Sequence, residues 1–323
     1  MLREENFLRR LSSPVKPNLT EENKVARVVY AMDEVYLVAD VEGKYRFNDL
    51  YNRVDVDEKW FYLTNATNNY ILVVSDSKNE QEKEPVRRTR HKSHIDKVLF
   101  LCAQARPRWD LNRKAMWDGK LGIWPIGDHV PALTTKCRKA GTLVWRNESV
   151  TKEVYRKLLL EKVVPAIQEK WPRGKLANPA RVIRIQQDGP NSHIRPMDAE
   201  WNKGLRERGL HNKIILYTQP ANSPDLNIND LGLFSALDES YKRNVPKSYD
   251  NIIKMVRQVY EDYSMKKINY IYLTLMSCLN EIIECGGDNN YSIPHLGKDR
   301  LEREGNLPET LEVLEDYKSY LDT

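Results

Sequence analysis

Apolar and polar positions along this chain fall into blocks of differing period, and each period predicts an element. From about Glu22 to Met32, Val25, Val28, Val29 and Met32 recur at three- and four-residue spacing behind Thr20, which predicts a capped helix. Residues 53–63 switch to a period of two with valine and aromatic content, which predicts a strand. Further strands are expected at 70–74 and 97–103, separated by a highly charged loop over 76–93, so the opening reads as a three-stranded antiparallel meander. Residues 107–148 are rich in Trp and Gly and suit short β pieces such as Leu121–Trp124 and Thr142–Trp145. Ser149 or Thr151 then caps a helix over about 152–170, with Tyr155, Leu158, Leu159, Val163 and Ile167 as its apolar stripe and a kink at Pro165.

The second half changes pattern. Residues 181–188 predict a strand that stops at Gly189-Pro190, a strong turn signal. A helix near 197–208 and a strand at 213–217 complete a strand–helix–strand unit, which implies a parallel pair. Helices follow from Asp230 to about 242, over 248–263 and over 266–284. Antiparallel strands, a helix, a parallel pair and then helices define an α/β chain. The expected fold is RNase H-like: a mixed five-stranded sheet flanked by helices, with an inserted β-rich or loop segment and a helical C-terminal part. The division that follows is 1–18 as a short polar lead-in, 19–50 as a linker helix, 51–245 as the main domain with its insertion at 107–148, and 246–323 as the helical region.

Composition narrows the class only slightly. With 323 residues, 41% hydrophobic and 30% charged, the chain can bury a sizeable core and is not of disordered type. The net charge of +5 permits a nucleic-acid partner without demanding one. Cys102, Cys137, Cys278 and Cys285 are far apart and form no zinc or disulfide pattern. The absence of an 18-residue apolar run argues against a membrane span, and the charged N-terminus is not a signal peptide.

The chemistry gathers around Gln219–Phe234. Pro220 and Pro224 stiffen a loop after the 213–217 strand, and Asn229 or Asp230 can start the helix behind it. Asp57 lies within the first strand, on one face with Asp55 and Lys59, and Asp188 ends a later strand. Three carboxylates from three elements are what a two-metal phosphoryl-transfer site needs, because Mg²⁺ and Mn²⁺ take hard oxygen ligands and must keep positions open for phosphate and water. Each acid also has a plain reading: Asp57 as a salt-bridge partner, Asp188 as a turn residue and Asp230 as a helix cap.

The wording around these acids is more specific than their spacing. Asp57-Glu58-Lys59-Trp60-Phe61, Gln186-Gln187-Asp188 followed by His193, and Ser223-Pro224-Asp225-Leu226-Asn227 with Asp230 resemble the signatures of mariner-type DNA transposases, the plant and oomycete members above all. Lys120–Pro125, Gly141–Val144, Val150–Lys157 and Ile293–Lys298 are also similar to that group, so the resemblance runs from about Leu19 to Pro308. It implies an RNase H-like catalytic domain with Asp57, Asp188 and Asp230 as catalytic and metal-binding triad and Mg²⁺ or Mn²⁺ as cofactor. It also implies transposon ends and target DNA as partners, a homodimer, and nuclear localisation, with no membrane and no small-molecule substrate. Gly189-Pro190-Asn191-Ser192 replaces the usual turn after the second acid, and Asp55 stands where a histidine is common. Family members carry two helix-turn-helix modules ahead of this domain; residues 1–18 resemble only the tail of the second, so the modules are expected to be missing.

The run containing Arg87, Arg88, Arg90 and Lys92 is the candidate phosphate-contacting patch, with a solvated loop and a nuclear localisation signal as alternatives. Trp109, Trp117, Trp124 and Trp145 are read chiefly as core, and by the resemblance the 107–148 region contributes to dimer contacts. His193 is a candidate for orienting a phosphate or an acid near Asp188. Two other functions stay open: a catalytically inactive remnant that binds nucleic acid or a partner, and a stand-alone RNase H-like nuclease.

Overall fold

A computed structural model describes residues 16–37, 44–63, 96–133, 139–172, 182–242, 246 and 248–314. In chain order the elements are α1 (Glu21–Met32), β1 (Val35–Leu37), β2 (Tyr45–Phe47), β3 (Arg53–Tyr62), β4 (Lys97–Ala105), β5 (Arg108–Asp110), β6 (Ala115–Trp117), β7 (Lys120–Pro125), β8 (Gly127–Pro131), β9 (Leu143–Asn147), α2 (Lys152–Leu158), α3 (Val164–Lys170), β10 (Ile183–Gln187), α4 (Ala199–Glu207), β11 (Ile214–Thr218), α5 (Phe234–Tyr241), α6 (Tyr249–Asp262), α7 (Met265–Glu284) and α8 (Lys298–Arg303).

The central sheet has five strands in the order β11-β10-β3-β4-β7. β3, β4 and β7 pair antiparallel, and β10 pairs parallel with both β3 and β11. This is the mixed RNase H-like sheet expected from the pattern. Among the described residues, the antiparallel side consists of β3, β4 and β7. The strand beside β3 is β4, and the third member is β7, whose Leu121–Trp124 core was expected as a short β piece of the insertion. The expected strand at 70–74 lies outside the described residues. β3 has β10 on its other edge, so both of its edges are occupied along Val54–Asp55.

Strand alternation sends the two faces of the sheet into two cores. Phe61, Phe100, Cys102 and Ile123 meet α1, α5, α6 and α7, with Tyr30, Phe234, Val256 and Leu275 among the buried partners. Val54, Val56, Leu101 and Ala103 meet α2, α3 and α4 through Tyr155, Leu159, Ile167, Trp201 and Leu205. A sheet covered on both faces keeps its central strands apolar except where a polar side chain has a partner or a task.

The local signals explain the helix boundaries. Thr20 and Thr151 cap α1 and α2 by accepting from Asn23 N and Val154 N. α2 runs into α3 through a wide π turn, Leu159–Val163, just before Pro165. Proline has no N–H to donate, so the widened turn accommodates it without ending the helix. The four tryptophans divide: Trp117 is buried edge-on against Trp171, Trp124 and Trp145 are half-buried, and Trp109 is exposed. No helix among the described residues is long and apolar enough to cross a membrane.

Candidate metal centre

The site forms where β3 and β10 run side by side. Gln186 is in register with Asp55, so Asp188, two residues on, comes level with Asp57. Asp57 is a strand residue with only 9% of its surface exposed, and its Oδ1 accepts from Glu58 N at 2.8 Å. Asp188 is the first residue after β10 and is half-buried.

The third acid is brought in by the proline loop. Pro224–Leu226 form a single 3₁₀ turn, and Asn229–Leu233 a wide π turn that leads into α5. Asn227 links the loop to the sheet: its Nδ2 donates to Val56 O at 3.1 Å, while its Oδ1 accepts from Asn229 N at 3.0 Å. Asn227, rather than Asn229 or Asp230, therefore supplies the capping oxygen, and Asp230 falls in the first turn behind it. Arg53 Nη2 also donates to Leu226 O at 2.5 Å. Asp225 shapes the loop from its other side, held by a two-pronged pair with Arg27 of α1 at 2.7 and 2.6 Å and by the Tyr291 hydroxyl.

With the loop docked in this way, the Asp57 and Asp230 carboxyls are close enough for the ionisation of each to bear on the other. Two ionised carboxylates at such range repel, so the pair favours sharing a proton or a cation. Burial, then the charges of Asp230, Glu58 and Asp188, push the Asp57 carboxyl up to about 9. Asp230 is raised too, chiefly by desolvation of its carboxyl and by the Asp188 charge, with Asp57 and Lys59 acting in the opposite direction.

Asp55, on the same strand face, does not join this cluster. It is fully buried and neutralised by Arg53, with Nη2 at 2.5 Å and Nε at 3.0 Å, and its Oδ2 accepts from Tyr272 at 3.1 Å. Asp55 therefore adds no uncompensated negative charge to the cluster.

His193 lies beside Asp188 despite the altered turn, which closes with His193 N donating to Pro190 O at 3.0 Å. Its Nδ1 is 2.9 Å from Asp188 Oδ1, and its Nε2 is 3.1 Å from Glu58 Oε1. Burial disfavours the charged ring, but the bonds to Asp188 and Glu58 outweigh it and push His193 up to about 9. Glu58, Asp188 and His193 offer one ligand atom each within 4.8 Å of one another. The sequence reading passed over Glu58. It adjoins Asp57, but alternation turns it to the opposite face, where only the folded chain brings His193. Arg87, Arg88, Arg90 and Lys92 lie outside the described residues.

The donor set suits a hard divalent cation. Asp57 is buried, Asp188 half-buried and Asp230 exposed to solvent, their charges repel one another, and one oxygen of Asp188 is buried without a hydrogen-bond partner. No family model and no curated protein matches the sequence. Solved structures do. The chain is similar to the Mos1 mariner paired-end complex with Mn, at 16% identity and a TM-score of 0.59 over 90% of this chain and 70% of that one. It is similar to the Mos1 strand transfer complex, at 16% identity and a TM-score of 0.58 over 90% and 69%. The isolated catalytic domain of Mos1 mariner transposase matches at 14% identity and a TM-score of 0.53, over 86% of this chain and 100% of that one. The fold of this protein is that of the Mos1 transposase catalytic domain.

Proposed function

We propose that this chain is the catalytic domain of a mariner-like DNA transposase, a metal-dependent enzyme that cuts DNA strands and joins transposon ends to target DNA. The observation that supports this best is the convergence of Asp57 from β3, Asp188 from the end of β10 and Asp230 from the turn before α5, close enough that their charges act on one another. Asp57, Asp188 and Asp230 would hold Mg²⁺ or Mn²⁺. When bound, the metal supplies charge stabilisation at the transferring phosphoryl group and a more acidic water or 3′-hydroxyl.

The rest is done by the chain. β3 and β10 set the first two acids at a fixed register, and Asn227, Arg53 and Arg27 hold the loop so that Asp230 cannot retreat from Asp57. Lys59 and His193 supply positive charge at opposite sides of the acids, which limits repulsion before a cation arrives. On this reading the partners are transposon ends, target DNA and a second copy of the chain, and the work is done in the nucleus.

The test is a supercoiled plasmid incubated with purified protein and Mn²⁺. The unaltered protein should nick it and Asp188→Asn should not. Equal nicking by both would remove the triad. No nicking together with no Mn²⁺ uptake in calorimetry would favour a protein that binds nucleic acid without cutting it.

A further inference from the structure

We propose that His193 is a positioning residue that fixes Asp188 for metal binding, and that Glu58 and Tyr155 in turn fix His193. The proposal rests on the reading of Asp188 as a metal ligand. Its first support is the immobility of the ring. His193 is 2% exposed and stacks face to face on Tyr155 of α2, with centroids 3.8 Å apart and planes 10° apart. Stacking sets the plane of the imidazole, and the contacts at its edge set its rotation.

The second support is that both ring nitrogens are engaged. Nε2 faces Glu58 Oε1 at 3.1 Å, and Nδ1 faces the Asp188 backbone oxygen at 3.4 Å and Oδ1 at 2.9 Å. A carbonyl only accepts, so Nδ1 carries the hydrogen directed at Asp188 O, while Nε2 is engaged by Glu58. With both nitrogens turned to these partners, the ring bridges Glu58 and Asp188 within one compact group.

The third support is direction. The Nδ1 hydrogen is aimed at the Asp188 carbonyl and lies off the line to Oδ1, so Oδ1 keeps its lone pairs although it is buried. His193 thus holds the backbone of Asp188 without consuming the side-chain oxygen a cation needs. Glu58 completes the device. It belongs to β3, next to Asp57, so the Glu58–His193–Asp188 bridge ties the strand carrying one acid to the turn carrying the other. Outer-shell partners of this kind commonly set metal affinity as strongly as the ligands do.

Two substitutions separate the ring's two contacts. Asparagine places its amide nitrogen where Nδ1 stands, and glutamine places it where Nε2 stands. Mn²⁺ binding to the whole chain is measured by calorimetry, with thermal unfolding in chelator as the check that each variant folds. His193→Asn, which keeps a donor toward Asp188 but loses the Glu58 contact and the Tyr155 stack, is expected to bind Mn²⁺ less than about 10-fold more weakly than the unaltered protein, and His193→Gln, which loses the donor toward Asp188, about 10- to 100-fold more weakly. Equal and undiminished binding by both variants overturns the proposal. Equal loss in both overturns it as well, because the ring would then act as a ligand or only as packing. If the unaltered protein takes up no Mn²⁺, or Asp188→Asn binds as well as it does, the metal reading fails and this proposal falls with it.

Discussion

Asp57→Asn should make the metal-free protein more stable while destroying the site. An unfolded aspartate releases its proton near 3.9, whereas the folded Asp57 holds one up to about 9 because it is buried beside Asp230 and Asp188. Between those values the folded state binds more protons than the unfolded state, so stability falls as pH rises. The slope cannot exceed about 1.4 kcal/mol per pH unit for one proton, which gives a ceiling of about 3 kcal/mol between pH 5 and 7. Sharing of the proton with Asp230 and relaxation of the site reduce this, and about 1–2 kcal/mol is expected. Asparagine keeps the shape of the protonated acid: its oxygen can accept from Glu58 N and its amide can donate to Asp230. His193 has the same sign, since its folded value of about 9 lies above the unfolded one, but its contribution begins only above pH 6.5. Urea unfolding in chelator at pH 5, 6 and 7 isolates the effect. The unaltered protein should lose stability relative to Asp57→Asn as pH rises, and Mn²⁺ should restore it only in the unaltered protein. Parallel pH curves for the two proteins would refute the reasoning, because Asp57 would then be ionised in the folded state without penalty.

The remaining expectations concern the framework of the site. Asp55→Ala strands Arg53, which is 1% exposed, and should cost about 3–5 kcal/mol in urea unfolding; a loss under 1 kcal/mol would mean that water or another group reaches the guanidinium. Arg27→Lys removes the two-pronged hold on Asp225 and should cost about 1–3 kcal/mol. Because that hold shapes the loop before Asp230, the same variant should also bind Mn²⁺ more weakly in calorimetry, and unchanged binding would show that the loop keeps its form without α1.

What the sequence by itself determined is local. Period-two and period-3.6 patterns placed β3, β4, β10 and β11 and the long helices, because burying one face of each element is a requirement written within a dozen neighbouring residues. The same locality put Asp57 in a strand, Asp188 at a strand end and Asp230 behind a proline-stiffened loop. What only the tertiary structure decided is partnership. β7 joins β4 on the antiparallel side of the described sheet, since strand neighbours are chosen by the whole sheet and not by order along the chain. Arg53 lay two residues from Asp55 on the same strand face, yet its role as counter-ion emerged only when burial removed water as an alternative. Glu58 meets His193 across 135 positions and Arg27 meets Asp225 across 198, and no local pattern carries such pairings. A buried charge has to be satisfied by whichever group the fold brings within reach, so the acids and the nearby His193 could be named from the sequence while their distant partners Glu58 and Arg27 could not.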